Sequence, residues 1–412
     1  MNQSTVEKRE SVFGPDFDPW DPRYLIDLAA LYAELREREP VHWNERRGLW
    51  FVTRYDDVAS VLGDRERFSC AQYNIDKPHM VTRKEEGARY QPWSGPTMVT
   101  TEPPEQTRLR RGSARAFSVP GLQRLTGRVE AIADRLLDRL DGAASMDVIA
   151  DFAYPLPVYA IAELLGVPEV DQERFLALAL ADREDPGHDP NATPEMLAVA
   201  ASHGEELRAF VEEIIARKRL DPGEDLISAL IASQQADGLT ASETLDTVHL
   251  MMEAGHITTV NLIGNGLDLL LDHPDQWSRL RDEPELMASA VKECLRLVGP
   301  VQFTGRTAKV DVEIDGQLIR AGEAVIPLIP AANRDPRQFE DPDVFDVARN
   351  PTRHLGFGVG VHVCIGQSLA RLETQIAFAR LLERTPDLRR SGDVTWNTSF
   401  ELRGLTTLPV AW

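Results

Sequence analysis

A mainly α-helical protein with small β-sheets is the fold that this sequence predicts, and three observations predict it. Eight stretches carry apolar residues at three- and four-residue spacing, the period of a helix that buries one face. Only three stretches read as strand, each short and rich in β-branched or aromatic residues. The chain has 412 residues, 42% of them hydrophobic. That is ample for a sizeable core, in either two ordinary domains or one large one.

The helical stretches are 24–38, 55–63, 121–140, 157–166, 203–218, 243–272, 285–298 and 366–384. In the first, Leu28, Leu31 and Leu35 share a face. In the third, Leu122, Leu125, Val129, Ile132 and Leu136 do the same. The strand-like pieces are LWFVTRY at 49–55, VDVEIDGQLIRAG at 310–322 and AVIPLIP at 324–330. The middle piece is broken by Asp315-Gly316, a turn dipeptide. Two long polar stretches, 71–100 and 182–195, interrupt the helical pattern. Loops of that length in a compact protein are often lids or binding loops, so a buried site with a gate is expected. No repeat and no low-complexity linker divides the chain. The organisation expected is an N-terminal tail at 1–20 and a single domain at 21–412.

Lys+Arg 45 against Asp+Glu 66 gives a net charge of −21. Such acidity argues against nucleic acid as the main partner, because its backbone would be repelled. Three scattered cysteines, Cys70, Cys294 and Cys364, make no disulfide framework and point to a reducing cytoplasm. The polar start has no apolar signal core, and the greasiest run, 148–167, carries Asp151, Glu163 and two prolines. No membrane span is expected.

The stretch HLGFGVGVHVCIG, residues 354–366, holds one cysteine behind a run of glycines. A metal, a phosphate or a cofactor are the occupants such a stretch can wrap. Gly358, Gly360 and Gly366 permit positive φ or close backbone approach. The helical pattern after Cys364 places the thiol at a helix N-terminus, where dipole and free N–H groups favour thiolate. A lone thiolate does not make a zinc finger or an iron–sulfur site, which need three or four ligands. It suffices for haem iron, whose in-plane ligands come from the porphyrin. The bland alternative is a buried cysteine packed as a small hydrophobe. Phe357, the glycines, His362 and the following helix together outweigh it.

Phe357-Gly358-x-Gly360-x-His362-x-Cys364-x-Gly366 resembles the haem-binding signature of the cytochrome P-450 haem-thiolate monooxygenases. Glu293-Cys294-Leu295-Arg296 is similar to that family's Glu-x-x-Arg. Ala331 to Pro336 and Phe345-Asp346-x-x-Arg349 look like the segment before the haem loop. Leu402 to Leu405, with Leu408 to Val410, resembles the C-terminal hairpin of soluble bacterial members. The resemblance covers nearly the whole chain. It implies the cytochrome P-450 fold, a triangular prism-like helical body with haem b between the distal long helix and the cysteine-loop helix.

The resemblance also implies roles. Cys364 is the axial thiolate on iron, with Phe357, Gly358 and Gly366 shaping its loop. His362, Arg306 and Arg110 are donors to the haem propionates. Gln106 stands where the family often has histidine. Glu293 and Arg296 form a buried structural network with the segment ahead of the cysteine. On the long helix, MMEAGHITTVNLIGNG at 251–266, Ala254 and Gly255 leave room for dioxygen. Thr258, beside Thr259, supplies a hydroxyl for proton delivery. The family's acid position holds Ile257, which cannot carry a proton. Water or substrate groups in place of the acid, a radical coupling reaction, and peroxide as oxidant are the three consequences, in that order. Glu253, at i−4 from Ile257, rescues the relay, lines the substrate pocket or simply turns to solvent at the helix side.

Further pocket positions are Met98, Val99, Val301, Gln302, Phe303, Phe400 and Glu401. Glu253 and Glu401 would suit a substrate with an amine, amide N–H or indole N–H. Arg108, Arg111 and Arg115 share one helical face and are expected to dock an acidic ferredoxin, although charge runs are usually solvated faces. The enzyme expected is a cytoplasmic, monomeric monooxygenase of natural-product tailoring. It takes a small-molecule substrate, O2 and electrons from a ferredoxin and ferredoxin reductase. The alternatives are a coupling or peroxide-dependent haem-thiolate enzyme and, from another class, a haem-binding protein without turnover. Retention of Thr258 disfavours the last.

Overall fold

Thr240 and Glu243 close a capping box in which each side chain accepts from the other's backbone N–H, and the chain then stays helical for 32 residues. The structure is a computed structural model that describes residues 18, 20–21, 27–71, 95–183 and 193–412. Most of the expected tail 1–20, residues 72–94 of the first lid stretch and 184–192 of the second lie outside the described residues.

The helices are α1 (Leu28–Arg38), α2 (Tyr55–Gly63), α3 (Glu105–Ala114), α4 (Val119–Asp138), α5 (Pro155–Leu165), α6 (Glu169–Arg183), α7 (Pro194–Leu220), α8 (Leu226–Ala236), α9 (Ala241–Asp272), α10 (Pro274–Asp282), α11 (Met287–Val298), α12 (Ile329–Asn333) and α13 (Gln367–Arg384). The strands are β1 (Val41–Asn44), β2 (Leu49–Val52), β3 (Phe68–Ser69), β4 (Ser145–Asp147), β5 (Arg306–Ala308), β6 (Val312–Ile314), β7 (Gln317–Ile319), β8 (Ala324–Pro327), β9 (Arg389–Arg390), β10 (Thr395–Trp396), β11 (Leu405–Thr407) and β12 (Pro409–Ala411).

The helical body is built around α9, which packs on α5, α11 and α13. Leu262, Ile263, Leu267 and Leu270 of α9 lie within one large apolar cluster with α4 and α5. A second layer holds the mixed sheet β1-β2-β8-β5-β3, in which only β2 and β8 run parallel. Its two faces bury separate clusters, one against α2 and one against α1. The hairpin β6–β7 turns at Asp315 and Gly316, both at positive φ, as the Asp-Gly pair predicts.

All eight expected helices form. Five more, α3, α6, α8, α10 and α12, form outside those stretches. Asp225 starts α8 by accepting from the backbone N–H of Ser228 at 2.8 Å, a local cap and not a periodic signal. The C-terminal strands divide between two sheets. β11 pairs with β10, whereas β12 joins β4 and β9 in another sheet.

The Glu-x-x-Arg pair is fully buried. Arg296 Nε and Nη2 each donate to Glu293 at 2.7 Å, and Nη1 donates to the carbonyl of Asn333 at 3.0 Å. Arg349 Nε reaches the same carboxylate at 3.0 Å. Asn333 Oδ1 then accepts from the N–H of Leu355 at 2.7 Å, which ties the network to the cysteine loop.

Candidate active site

Gly360 explains the glycine run best. Its φ is +74°, and a Cβ there would stand 3.3 Å from the Gly63 backbone at the end of α2. The loop can therefore lie against α2 only with glycine at 360. Gly358 also needs positive φ, at +67°. Gly366 needs neither: it caps α13 at φ −82° and its Cβ would meet ordinary contacts. The loop closes on itself where the Cys364 N–H donates to the Phe357 carbonyl at 2.9 Å.

Cys364 is accessible, unlike the buried Cys70 and Cys294. Burial raises its thiol pKa above the ordinary value. The N–H groups of Gly366 and Gln367 and the charges of Arg110 and Arg371 pull the other way without winning. Among the described residues, Arg110 and Arg371 form no ion pair, and burial lowers both guanidinium values while the Cys364 sulfur opposes it. Arg371 lies over the Phe357 ring at 5.4 Å. Two half-buried cations without carboxylates are costly unless an anion belongs beside them.

The other expected donors have protein partners. Gln106 Nε2 donates to the Val361 carbonyl at 2.9 Å and so braces the cysteine loop. Arg306 is buried, its value lowered by that burial, and it donates to the carbonyls of Gly305 at 2.9 Å and Leu62 at 3.4 Å. His362 Nε2 lies 3.1 Å from Cys70 Sγ and 3.6 Å from a Glu102 oxygen. Burial and Arg306 lower the His362 value. Burial and the Glu102 charge push the Cys70 thiol up to about 12.

On α9, Ala254 is exposed and Thr258 Oγ1 donates to its carbonyl at 2.9 Å. Thr259 is buried and donates to the Gly255 carbonyl at 3.2 Å. Gly255 is also a packing residue. Its absent Cβ would strike Ile161 of α5 at 2.5 Å, so this glycine lets two helices approach. Ile257 is half-buried, and Glu253 and Glu401 are exposed.

Met98 is buried, Val99 is exposed and Val301 bridges to Leu402. Gln302 is buried, with its amide donating to the carbonyls of Gly299 and Pro300. Phe303 and Phe400 pack on each other at 5.6 Å and both touch Trp20, so their rings belong to an aromatic core. The basic face on α3 is largely neutralised. Arg108 pairs with Glu105 and Glu243, and Arg111 pairs with Asp237 at 3.3 Å. That weakens it as a docking patch.

Sequence reasoning missed Arg371, Glu102 and Cys70. Arg371 sits seven residues after the cysteine on one helix face, a spacing that offers a signal. Cys70 meets His362 across 292 residues of chain, and no local pattern reports that.

An accessible thiol in a glycine-built loop, beside two guanidiniums that form no ion pair among the described residues, fits a thiolate-ligated haem. The class defined by this fold and donor set is a haem-thiolate protein. The sequence profile of the cytochrome P450 family matches residues 196–385. Cytochrome P450 107B1 of Saccharopolyspora erythraea is 40% identical over 96% of this chain and 98% of its own. Nocardicin C N-oxygenase of Nocardia uniformis is 39% identical over 96% of this chain and 98% of its own. The crystal structure of CalO2 superposes with TM-score 0.87 at 33% identity, over 97% of this chain and 99% of that one. The chain belongs to the cytochrome P450 family. It is a cytochrome P450 monooxygenase whose cofactor is haem held by a cysteine thiolate.

Proposed function

We propose that Cys364 supplies the thiolate and that the enzyme oxidises a mid-sized, nitrogen-bearing organic substrate in natural-product tailoring. The observation that carries the first part is Cys364 itself: it is the accessible cysteine, flanked by Arg110 and Arg371. When bound, haem supplies O2 activation, with the thiolate pushing electron density toward O–O cleavage. The chain's own residues do the rest. Phe357 and the loop N–H groups orient the sulfur. Arg110 offers its charge to a propionate, with Arg306 and His362 near the same edge. Thr258 holds a hydroxyl at the α9 surface, where it can pass a proton through water.

The exposed carboxylates Glu253 and Glu401 support a substrate with an amine or N–H group, since each can accept a charge-assisted hydrogen bond. The name of the N-oxygenase relative is consistent with that class. No helix among the described residues is long and apolar enough to cross a membrane, which fits a cytoplasmic enzyme. A ferredoxin and its reductase are the proposed electron source, and the working form proposed is a monomer.

Ile257 favours one second reading, a coupling or peroxide-driven reaction that needs no acid at that position. Product formation with reductant and ferredoxin, compared with peroxide alone, separates the two. The substrate class is tested by a screen for low-spin to high-spin shifts enriched in nitrogen-bearing aromatic and peptide-like compounds. Shifts confined to neutral, nitrogen-free ligands overturn it.

A further inference from the structure

Cys70, Glu102 and His362 come from three distant parts of the chain and present one thiol, one carboxylate and one imidazole to a common point. The three ligand atoms all lie within 4.8 Å of one another. Sγ to Nε2 is 3.1 Å and Nε2 to Oε2 is 3.6 Å. Tetrahedral zinc with one sulfur and two lighter ligands sets those separations at roughly 3.5 and 3.3 Å. The two printed separations therefore lie within a few tenths of an ångström of those in a zinc site.

The cluster also has the outer support that a metal site needs. Glu102 Oε1 accepts from the N–H of Cys70 at 2.9 Å and from the Ser69 hydroxyl at 3.2 Å. That fixes the carboxylate and leaves Oε2 toward His362. His362 uses Nε2 here, so its Nδ1 stays available to donate to a carboxylate. A metal-bound imidazole commonly has such a partner. The same histidine can then serve the cluster through one nitrogen and a haem propionate through the other. Arg306 counts against the site, because its charge faces both Cys70 and Glu102. Its donors are taken by backbone carbonyls and one hydroxyl, so it does not occupy the carboxylate.

We propose that Cys70, Glu102 and His362 form a second metal site, which takes one zinc-class divalent cation with water in the fourth position. On binding, the Cys70 S–H proton leaves to solvent and an S–Zn bond forms. The ion stays divalent and no electron moves. The site stands apart from the thiolate that holds haem.

The test uses the full-length haem-loaded protein equilibrated with zinc ion alone, followed by gel filtration, zinc analysis and zinc K-edge absorption. One zinc per chain is expected, with one sulfur at about 2.3 Å and lighter ligands at about 2.0–2.1 Å. Cys70→Ser should lose that zinc. Ser69→Ala, which removes only the outer support, should weaken binding by about tenfold or more. An unchanged Soret band in both variants shows that the fold and the Cys364 ligand are intact. Three results overturn the proposal: no bound zinc, zinc without a sulfur neighbour, or zinc retained by Cys70→Ser.

Discussion

Arg296 and Glu293 sit one helical turn apart on α11, joined by two hydrogen bonds of 2.7 Å, and neither side chain has any solvent exposure. An isolated i,i+3 pair on a surface is worth little. This one is buried and extends to Asn333, Pro342, Val344 and Arg349, so it joins α11 to the segment before the cysteine loop. Removing one partner leaves the other charge buried and uncompensated, at about 3–5 kcal/mol. Arg296→Ala should lower the unfolding free energy by that amount, read as a lower urea midpoint, and deplete haem from the purified protein. An unchanged midpoint would mean the pair is dispensable.

Cys364→Ala removes the thiolate while leaving the loop's internal bond from position 364 to the Phe357 carbonyl, which uses only backbone. The fold should survive, since the side chain is accessible and fills no core. Far-ultraviolet circular dichroism should match the parent. The purified variant should lack a thiolate-type reduced carbon-monoxide band. A pigment with the parent's Soret maximum would mean that another residue holds the iron.

The helices were legible where one face of the pattern is apolar, because burial alone decides those residues. Leu125, Val129, Ile132 and Leu136 of α4 are all buried, as their spacing demands. The haem-loop glycines were legible as a group but not one by one. Gly360 is required by the Gly63 backbone, a contact 297 positions away that sequence spacing does not encode. The packing role of Gly255 was hidden for the same reason: its neighbour is Ile161 on another helix. Side-chain targets were the least legible part. Gln106 has donors that fit several partners, and only tertiary packing chooses the distant Val361 carbonyl.

His354 opens the cysteine loop and is held neutral. Burial first, then the charges of Arg371, Lys292 and Arg296, lower its pKa from 6.5 to about 4. The unfolded chain therefore binds one more proton than the folded chain between those values, and stability falls as pH drops from 6.5 toward 4. The contribution of this group is at most about 1.4 kcal/mol per pH unit within the window and vanishes above it. His354→Asn should show a flatter fall of the urea midpoint between pH 6.5 and 4.5 than the parent. Parallel slopes would assign the acid sensitivity to the carboxylates alone.

Ile257 occupies the α9 position one residue before Thr258, where an ionisable side chain could feed the hydroxyl chain. The Thr258 hydroxyl is already committed as a donor to Ala254 at 2.9 Å, so it needs an outside proton to pass one on. An aliphatic neighbour supplies none, and Glu253 lies a full turn earlier on the helix. Ile257→Glu places a carboxyl on the residue next to Thr258, able to reach the hydroxyl through water, at little steric cost because the position is only half-buried. The ratio of product formed to reductant consumed should rise, with less peroxide released. Glu253→Gln measured alongside should weaken binding of a cationic ligand, read as a smaller spin shift, with a lesser effect on that ratio. If Ile257→Glu leaves the ratio unchanged while Glu253→Gln lowers it, Glu253 is the proton source and Ile257 is a wall of the pocket.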